Sequence, residues 1–453
     1  MTKLFGTDGI RGVANRYPMD APTALAVGRA IGVHFGGAKG NTGSSKGLVV
    51  IGQDTRLSGD MLAQAVAAGV CAAGMDVALA GVLPTPGIAR LAADNGALAG
   101  VVISASHNPF EDNGIKVFDG GGFKLADAEE ERIESLVLNG CRGPVETADF
   151  GVGRLRGIAD PDGCYLDFLS AVAGDLSLEG MRIVLDCANG ATFRVAPELF
   201  QRLGARVTPL FCTPDGMNIN ADCGSQHPDA LARAVKEQGA DAGLAFDGDG
   251  DRLIVVDETG RVLSGDQIMA VCARHLKEKG ALAGDLVVAT VMSNTGFHQA
   301  MQGHGIRVVT TGVGDRYVMQ AMVREGAVLG GEDSGHLIFR DVHTTGDGLV
   351  AALRLLGAVR DAGRPLSELA AIMTVYPQVL INVDVREKPD LEGVPAIAEA
   401  ITAVETALGD QGRVLVRYSG TQNMCRVMVE GPTRERTEQL CKDIAEVVRR
   451  EIG

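Results

Sequence analysis

Several short stretches of this chain collect side chains able to do chemistry. Ser104-Ala105-Ser106-His107-Asn108-Pro109 sets a hydroxyl beside an imidazole. Those are the groups of an activated nucleophile, although adjacent residues seldom place the ring correctly on the hydroxyl. Asn113-Gly114-Ile115-Lys116 follows, with a cation suited to a phosphate. Asp247-Gly248-Asp249-Gly250-Asp251-Arg252 alternates three carboxylates with glycine. Such a run can fold around one hard divalent cation while the glycines take up positive φ, and without an ion the three charges repel. An EF-hand is excluded: Arg252 stands where that loop needs glycine, and the flanks read as strands rather than helices. Gly330-Gly331-Glu332-Asp333-Ser334-Gly335-His336 offers Glu332, Ser334 and His336 to a polyol from several directions. Arg417-Tyr418-Ser419-Gly420-Thr421-Gln422-Asn423, with Arg426 beyond, supplies guanidinium, hydroxyl and glycine-exposed N–H groups that suit a phosphate. Phe5-Gly6-Thr7-Asp8-Gly9-Ile10-Arg11-Gly12 is a further glycine-rich stretch carrying Arg11.

The elements that must position these loops alternate between strand and helix. Leu48–Ile51, Asp76–Leu83 and Gly100–Ile103 read as strands, with helices over Met61–Ala73 and Gly87–Ala93. The pattern restarts with strand Arg182–Asp186, helix Ala191–Leu203 and strand Ala205–Phe211, and strands Ala242–Phe246 and Leu253–Val256 flank the acidic run. A third set comprises helix Asp266–Lys279, strand Leu286–Val291, helix Thr295–Gln302, strand Ile306–Thr310, helix Arg316–Arg324, strand Ala327–Gly330 and helix Gly348–Asp361. Repeated strand–helix–strand units mean mixed, mostly parallel sheets covered on both faces. Ser106 then follows the carboxyl end of a strand, where open α/β sheets bind ligands. The tail differs: strands Gln378–Val385, Arg413–Arg417 and Cys425–Glu430 with helices Pro395–Leu408 and Arg434–Glu451 form a smaller α+β unit. The expected fold is three consecutive α/β domains followed by that unit. Boundaries near Gly153, Asp257 and Pro365 give 1–153 with the Ser106 loop, 154–257 with the acidic loop, 258–365 with the Glu332 loop, and 366–453.

Composition bounds the function. The 453 residues carry 42 Lys plus Arg against 57 Asp plus Glu, a formal charge of −15, which argues against a general nucleic-acid or anionic-membrane surface. Only 4% are aromatic and none is Trp, so base-stacking or polysaccharide platforms are not expected. With 46% hydrophobic residues the chain can bury several cores. No apolar run reaches the roughly 18 residues of a membrane helix, and the N-terminus lacks a signal-peptide pattern. Nine scattered cysteines without a C-x-x-C pair read as reduced thiols. The expected location is the cytoplasm.

Taken in order, these segments resemble the α-D-phosphohexomutase superfamily over essentially the whole chain. Within it, Phe5–Gly12, Val291-Met292-Ser293-Asn294 and Val313-Gly314-Asp315-Arg316-Tyr317-Val318 look most like bacterial phosphoglucosamine mutases. That family interconverts glucosamine 6-phosphate and glucosamine 1-phosphate on the way to UDP-N-acetylglucosamine and peptidoglycan. The resemblance implies that Ser106 is the phosphoserine, and that Asp247, Asp249 and Asp251 bind one Mg²⁺ with a Ser106 phosphate oxygen. It implies that Arg252, Glu332, Ser334 and His336 hold the sugar, and that Arg417, Ser419, Gly420, Thr421 and Arg426 grip the phosphate that is not reacting. Arg11, His107 and Lys116 match positions that assist transfer. A glucosamine 1,6-bisphosphate, or a related bisphosphate, is the implied intermediate, and a small phosphosugar the implied partner. A homodimer is the candidate assembly. Two loops depart from the family's usual pattern: Asp333 replaces a glutamine in the sugar loop, and Gln422-Asn423 replaces Glu-Pro after the phosphate loop.

Overall fold

The computed structural model describes residues 3–6, 8–38, 47–140, 151–419 and 423–453. They form two compact units, one of Met1–Met292 with Ile306–Ala370 and the other of Ser293–Gly305 with Ala371–Gly453. No helix among the described residues is long and apolar enough to cross a membrane.

The first unit contains three mixed sheets. The first is built from β1 (Ile10–Val13), β2 (Leu48–Gln53), β3 (Asp76–Val82), β4 (Ala99–Ile103), β5 (Asp112–Asp119) and β6 (Leu155–Gly157), in the order β1-β5-β4-β2-β3-β6. Strands β2, β3, β4 and β6 run parallel, whereas β5 is antiparallel to both β4 and β1. Helices Ala21–Ala38, Gly59–Ala72 and Asp127–Leu138 contribute Val27, Ile31, Leu62, Val66 and Ile133 to a core shared with Val49, Ile51 and Val101. The first two of these helices touch backbone to backbone. A Cβ on Gly28 would stand 2.0 Å from Val66 O, and one on Gly69 would stand 2.1 Å from Leu25 O.

The second sheet holds β7 (Arg182–Asp186), β8 (Arg206–Leu210), β9 (Ala242–Phe246), β10 (Leu253–Asp257) and β11 (Val262–Leu263), in the order β11-β10-β9-β7-β8. The third holds β12 (Leu286–Thr290), β13 (Arg307–Thr311), β14 (Leu329–Gly331) and β15 (Leu337–Phe339), in the order β13-β12-β14-β15. Strands β9, β10 and β12 are buried along their full length, as their unbroken apolar runs require.

One device recurs. The Ser106 loop joins antiparallel β4 and β5 with Ile103 opposite Ile115, and the acidic loop joins β9 and β10 with Phe246 opposite Leu253. The Glu332 loop joins β14 and β15 with Gly331 opposite Leu337. Each parallel strand that delivers a loop is answered by an antiparallel return strand.

The second unit is an antiparallel sheet of β16 (Gln378–Asp384), β17 (Arg413–Tyr418) and β18 (Met424–Glu430), in the order β16-β18-β17. Val427 and Val429 pack with Ile397, Val404, Ile444 and Val448 from helices Pro395–Leu408 and Arg434–Ile452. Helix Thr295–Gly303 belongs to this unit as well. Its cap Asn294 accepts from Gly296 N (3.0 Å) and Tyr376 N (3.0 Å), and the buried Glu430 accepts from Thr295 N (2.9 Å) and Thr295 Oγ1 (2.6 Å).

The helix expected over Ala191–Leu203 begins only at Val195. Ala188 and Asn189 are left-handed, and Ala191 N donates to Gly248 O at 2.8 Å instead of entering a helical ladder.

His343, in the turn after β15, tests the packing by pH. Its Nε2 donates to Pro86 O (3.0 Å) and its Nδ1 accepts from Thr344 N (2.8 Å), so the ring sits neutral. Burial pushes its pKa down to about 4. A folded pKa below the unfolded one gives stability that is complete above pH about 6.5 and lost as pH falls toward 4. In urea unfolding, the lead of the native protein over His343→Asn is therefore expected to shrink by up to about 1.4 kcal/mol per pH unit across that window. A constant lead would refute this.

Candidate active site

The Ser106 loop is held from below by a buried ion pair. Asp54 follows β2, and its Oδ2 accepts from Arg56 Nε (2.9 Å) and Ser104 Oγ (2.6 Å), with both charged side chains fully buried. Arg56 spends its remaining donors on the loop backbone: Nη2 to Ser106 O and Asn108 O (2.8 Å each), Nη1 to Pro109 O (2.5 Å). Asn220 Nδ2 adds bonds to Ser106 O (2.9 Å) and Asn108 O (3.0 Å), and Ser104 Oγ accepts from Ser106 N (2.9 Å). Burial pushes the Asp54 carboxyl above its ordinary range, with Arg56 and Ser104 holding it back in part. With both its N–H and C=O committed, Ser106 is fixed at φ +55°. In that left-handed conformation the adjacent imidazole does reach the hydroxyl, with His107 Nδ1 3.2 Å from Ser106 Oγ, contrary to the sequence expectation. Burial, then Arg252 and Arg11, lower the His107 pKa to about 4. Arg11 donates from Nη1 to Ala105 O (3.2 Å) and from Nη2 to Asp8 (2.5 Å).

Ser106 Oγ donates to Asp247 Oδ2 at 2.6 Å, which joins the nucleophile loop to the acidic loop. Of the two glycines expected to take positive φ there, Gly250 does, at +74°, and Gly248 does not. Gly248 serves close approach instead, since a Cβ there would stand 2.6 Å from Ser106 O. Oxygens of Asp247, Asp249 and Asp251 all lie within 4.8 Å of one another, and all three residues are buried. Asp249 Oδ2 accepts from Thr85 Oγ1 (2.6 Å) and Lys116 Nζ (2.9 Å), and Arg252 N donates to Asp247 Oδ1 (3.2 Å). Asp249 Oδ1 and Asp251 Oδ1 are buried with no hydrogen-bond partner among the described residues. Burial and the neighbouring Asp251 and Asp249 push the Asp247 carboxyl well up. Hard oxygens, orphaned and mutually repelling, fit a magnesium ion.

Lys116, expected near the loops, is on strand β5 and almost fully buried. Its ammonium touches Asp249 (2.9 Å), Asp8 (3.3 Å) and Asp251 (3.4 Å). Burial opposes its charge, but these carboxylates outweigh burial and hold its pKa well up.

In the third loop, His336 is buried with Nδ1 3.6 Å from Asp251 and Nε2 3.5 Å from Asp315. Gly346 lies against the ring so closely that a Cβ there would stand 2.4 Å from Nε2. Gly314 N donates to Glu332 Oε1 (3.0 Å), and Ser334 Oγ is buried without a hydrogen-bond partner among the described residues. Arg252 Nε lies 3.9 Å from Asp251. Arg11, Ser106, His107, Lys116, the three aspartates, Arg252 and the Glu332–His336 loop thus all belong to the first unit.

In the second unit, Arg417 on β17 and Arg426 on β18 are cross-strand partners. Two like charges directly opposite are unfavourable on their own, and burial together with Arg426 lowers the Arg417 pKa. An anion relieves that arrangement. Ser419 N donates to Met424 O (2.8 Å), and Lys388 Nζ donates to Ser419 O (2.8 Å). Gly420 and Thr421 lie outside the described residues.

Sequence reasoning missed Asp54, Arg56, Thr85, Asn220, Asp8, Lys124 and Asp315 as site-building residues. Asp54-Thr55-Arg56 directly follows the buried strand β2, the position that singled out Ser106, and the same rule finds it.

Models of the four phosphoglucomutase/phosphomannomutase domains match this chain in order: alpha/beta/alpha domain I over residues 2–141, domain II over 164–260, domain III over 264–376 and the C-terminal domain over 380–447. Curated relatives named phosphoglucosamine mutase include one from Syntrophus aciditrophicus, 55% identical over 454 residues, and one from Syntrophobacter fumaroxidans, 56% identical over 454 residues. Both alignments cover 100% of this chain and of the relative. A phosphoglucomutase/phosphomannomutase family protein from Burkholderia thailandensis superposes with a TM-score of 0.82 at 25% identity, covering 99% of this chain and 97% of that one. N-acetylphosphoglucosamine mutase of Aspergillus fumigatus, solved with GlcNAc-6P and magnesium, shares the fold with a TM-score of 0.69 at 18% identity, covering 99% of this chain and 95% of that one.

Proposed function

Because this chain belongs to the phosphoglucosamine mutase family of the phosphohexomutases, we propose that it interconverts glucosamine 6-phosphate and glucosamine 1-phosphate, supplying the 1-phosphate to UDP-N-acetylglucosamine synthesis. The observation that carries the reading is the seat of Ser106, whose hydroxyl stands 2.6 Å from a carboxylate of a buried aspartate triad.

Moving a phosphoryl group between C6 and C1 of one sugar exceeds the reach of a single in-line transfer. A phosphate carried on Ser106 Oγ removes that limit. The O–P bond to Ser106 breaks as a sugar hydroxyl bonds to phosphorus and gives up its proton, and the product is a 1,6-bisphosphate. After the sugar turns about 180°, its other phosphate returns to Ser106. Asp247, Asp249 and Asp251 would hold one magnesium ion, which when bound neutralises charge on the transferring group. Arg56 and Asn220 fix the Ser106 backbone, so the oxygen needs no reorganisation between half-reactions. His107, with Nδ1 3.2 Å from Ser106 Oγ and its pKa lowered to about 4, would assist the transfer at that oxygen. Glu332, Ser334, His336 and Arg252 would orient the sugar. Arg417, Arg426, Ser419, Gly420 and Thr421 would take the phosphate that is not reacting. A phosphatase has no use for a second phosphate cradle, and a non-catalytic binder has no use for the Ser106–Asp247 contact.

The test is turnover of phosphorylated protein with magnesium on glucosamine 1-phosphate, glucose 1-phosphate and mannose 1-phosphate, each 6-phosphate being read by ³¹P NMR. Preference for the amino sugar is expected. Preference for a neutral sugar would leave the mechanism and move the substrate, and no isomerisation by protein phosphorylated at Ser106 would overturn the proposal. Asp333 adds a negative charge to the sugar loop, which suits a cationic amino group. Asp333→Gln is expected to lower the glucosamine-to-glucose selectivity ratio by about 3- to 10-fold. An unchanged ratio removes Asp333 from recognition.

A further inference from the structure

Six ionisable groups close a ring. Asp8 touches Lys116 (3.3 Å), Lys116 touches Asp251 (3.4 Å), and Asp251 faces His336 Nδ1 (3.6 Å). On the other side of that imidazole, Nε2 faces Asp315 (3.5 Å). Asp315 pairs with Lys124, and Lys124 returns to Asp8 at 2.5 Å. Acidic and basic side chains alternate all the way round, and none in the ring is more than about a quarter exposed. Burial works against charge on Asp8, Asp315 and Lys124, yet the neighbours outweigh it: Asp8 and Asp315 are held below their ordinary pKa, and Lys124 above its own.

The membership matters more than the charge. Asp8, Lys116 and Lys124 lie in the residues matched to domain I, Asp251 in domain II, and Asp315 and His336 in domain III. Lys116 and Asp251 sit at the aspartate triad, and His336 sits in the sugar loop. Asp8, Lys124 and Asp315 touch neither Ser106 nor the triad's orphaned oxygens, but the ring cannot close without them. Asp8 additionally holds Arg11, whose other branch donates to Ala105 O beside the nucleophile.

We propose that Lys124 and Asp315 are positioning residues for phosphoryl transfer, closing a three-domain ring that fixes His336 and Asp251 relative to the Ser106 loop. This deepens the mutase reading and rests on it. A ring transmits a break to both neighbours: without Lys124, Asp315 is left beside His336 alone, and Asp8 draws Lys116 away from Asp251.

Arg316 supplies the control. It is next to Asp315 and also joins domain III to domain I, through Asp127 and through Glu130 at 2.6 Å, but it is outside the ring. Loss of domain stitching alone would make Arg316→Met resemble Lys124→Met. The ring predicts that they differ.

The experiment compares Lys124→Met, Lys124→Arg, Asp315→Asn, the Lys124→Met/Asp315→Asn double variant and Arg316→Met in glucosamine 1-phosphate turnover, with crystal structures of the native protein and Lys124→Met. Lys124→Met and Asp315→Asn are expected to lower kcat by about 10- to 100-fold with KM within about 3-fold. The double variant should be no worse than the poorer single by more than about 3-fold, because residues acting as a unit are not additive. Lys124→Arg should recover to within about 3-fold of native, and Arg316→Met should retain kcat within about 3-fold. Singles near native turnover, effects that multiply in the double variant, or an equal loss in Arg316→Met would each overturn the proposal. Native protein inactive on every phosphosugar would sink the mutase reading instead. The ring is then judged on the crystal structures: His336 displaced from Asp251 in Lys124→Met supports it, and an unmoved His336 overturns it.

Discussion

Replacing Ser106 by alanine is expected to lower interconversion by about 10⁴-fold or more, because the covalent carrier of the phosphoryl group is lost with its oxygen. The loss should fall on chemistry and not on folding. Ser106 backbone groups, not its hydroxyl, anchor the loop, through Arg56, Asn220 and Ser104. Alanine keeps the same Cβ at the same left-handed φ. Turnover read by ³¹P NMR, with intact mass to show that no phosphoryl adduct forms, checks both halves of the statement. Activity above about one per cent of native would mean that the phosphoryl group travels by another route.

Arg56→Met is the second large effect, and it acts on stability and turnover together. Arg56 and Asp54 form a fully buried pair, so removing the guanidinium leaves a buried carboxylate uncompensated and takes one donor from each of three loop carbonyls. Breaking one side of a buried pair costs about 3–5 kcal/mol, and the misplaced nucleophile should cost about 10²-fold in kcat. The Asp54→Asn/Arg56→Met double variant should regain part of the stability, since the uncompensated charge is gone, and little of the turnover, since the guanidinium that ties the three loop carbonyls together is still missing. Denaturant unfolding paired with kcat separates the two effects. A single variant as stable and as fast as native would mean that the loop holds itself.

What could be read from residues alone follows the range of the physics involved. Buried strands such as Arg182–Asp186 and Ala242–Phe246, and helix Pro395–Leu408, stand where their apolar patterns place them. Strands β5 and β15 escaped notice. β5, Asp112–Asp119, carries Asn113, Gly114 and Lys116 and lacks the apolar run that marks a central strand, while β15 has only three residues. The same holds for the amphipathic helices Asp127–Leu138 and Asp229–Gln238, whose buried residues are few. Ser106, the aspartates and the Glu332 loop announce themselves by local clustering. Arg56 and Asn220 reach Ser106 across 50 and 114 residues of chain, and Asp315 reaches Lys124 across nearly 200. No spacing rule covers such distances, so pairings made by tertiary folding stay invisible until the sheets are assembled.

The hairpin seating of the site loops also bears on how the molecule is made. Residue pairs 103/115, 246/253, 331/337 and 418/425 that clasp these loops are close in sequence. Closing loops this short costs little chain entropy, and local contacts form early. On the ribosome each reactive tip can therefore be shaped as soon as its own sheet has emerged, while the ring from Asp8 through Lys116, Asp251, His336, Asp315 and Lys124 must wait for the last of its three contributing segments. The parts of this enzyme are built one at a time in chain order, and its competence arrives at the moment they are brought into register.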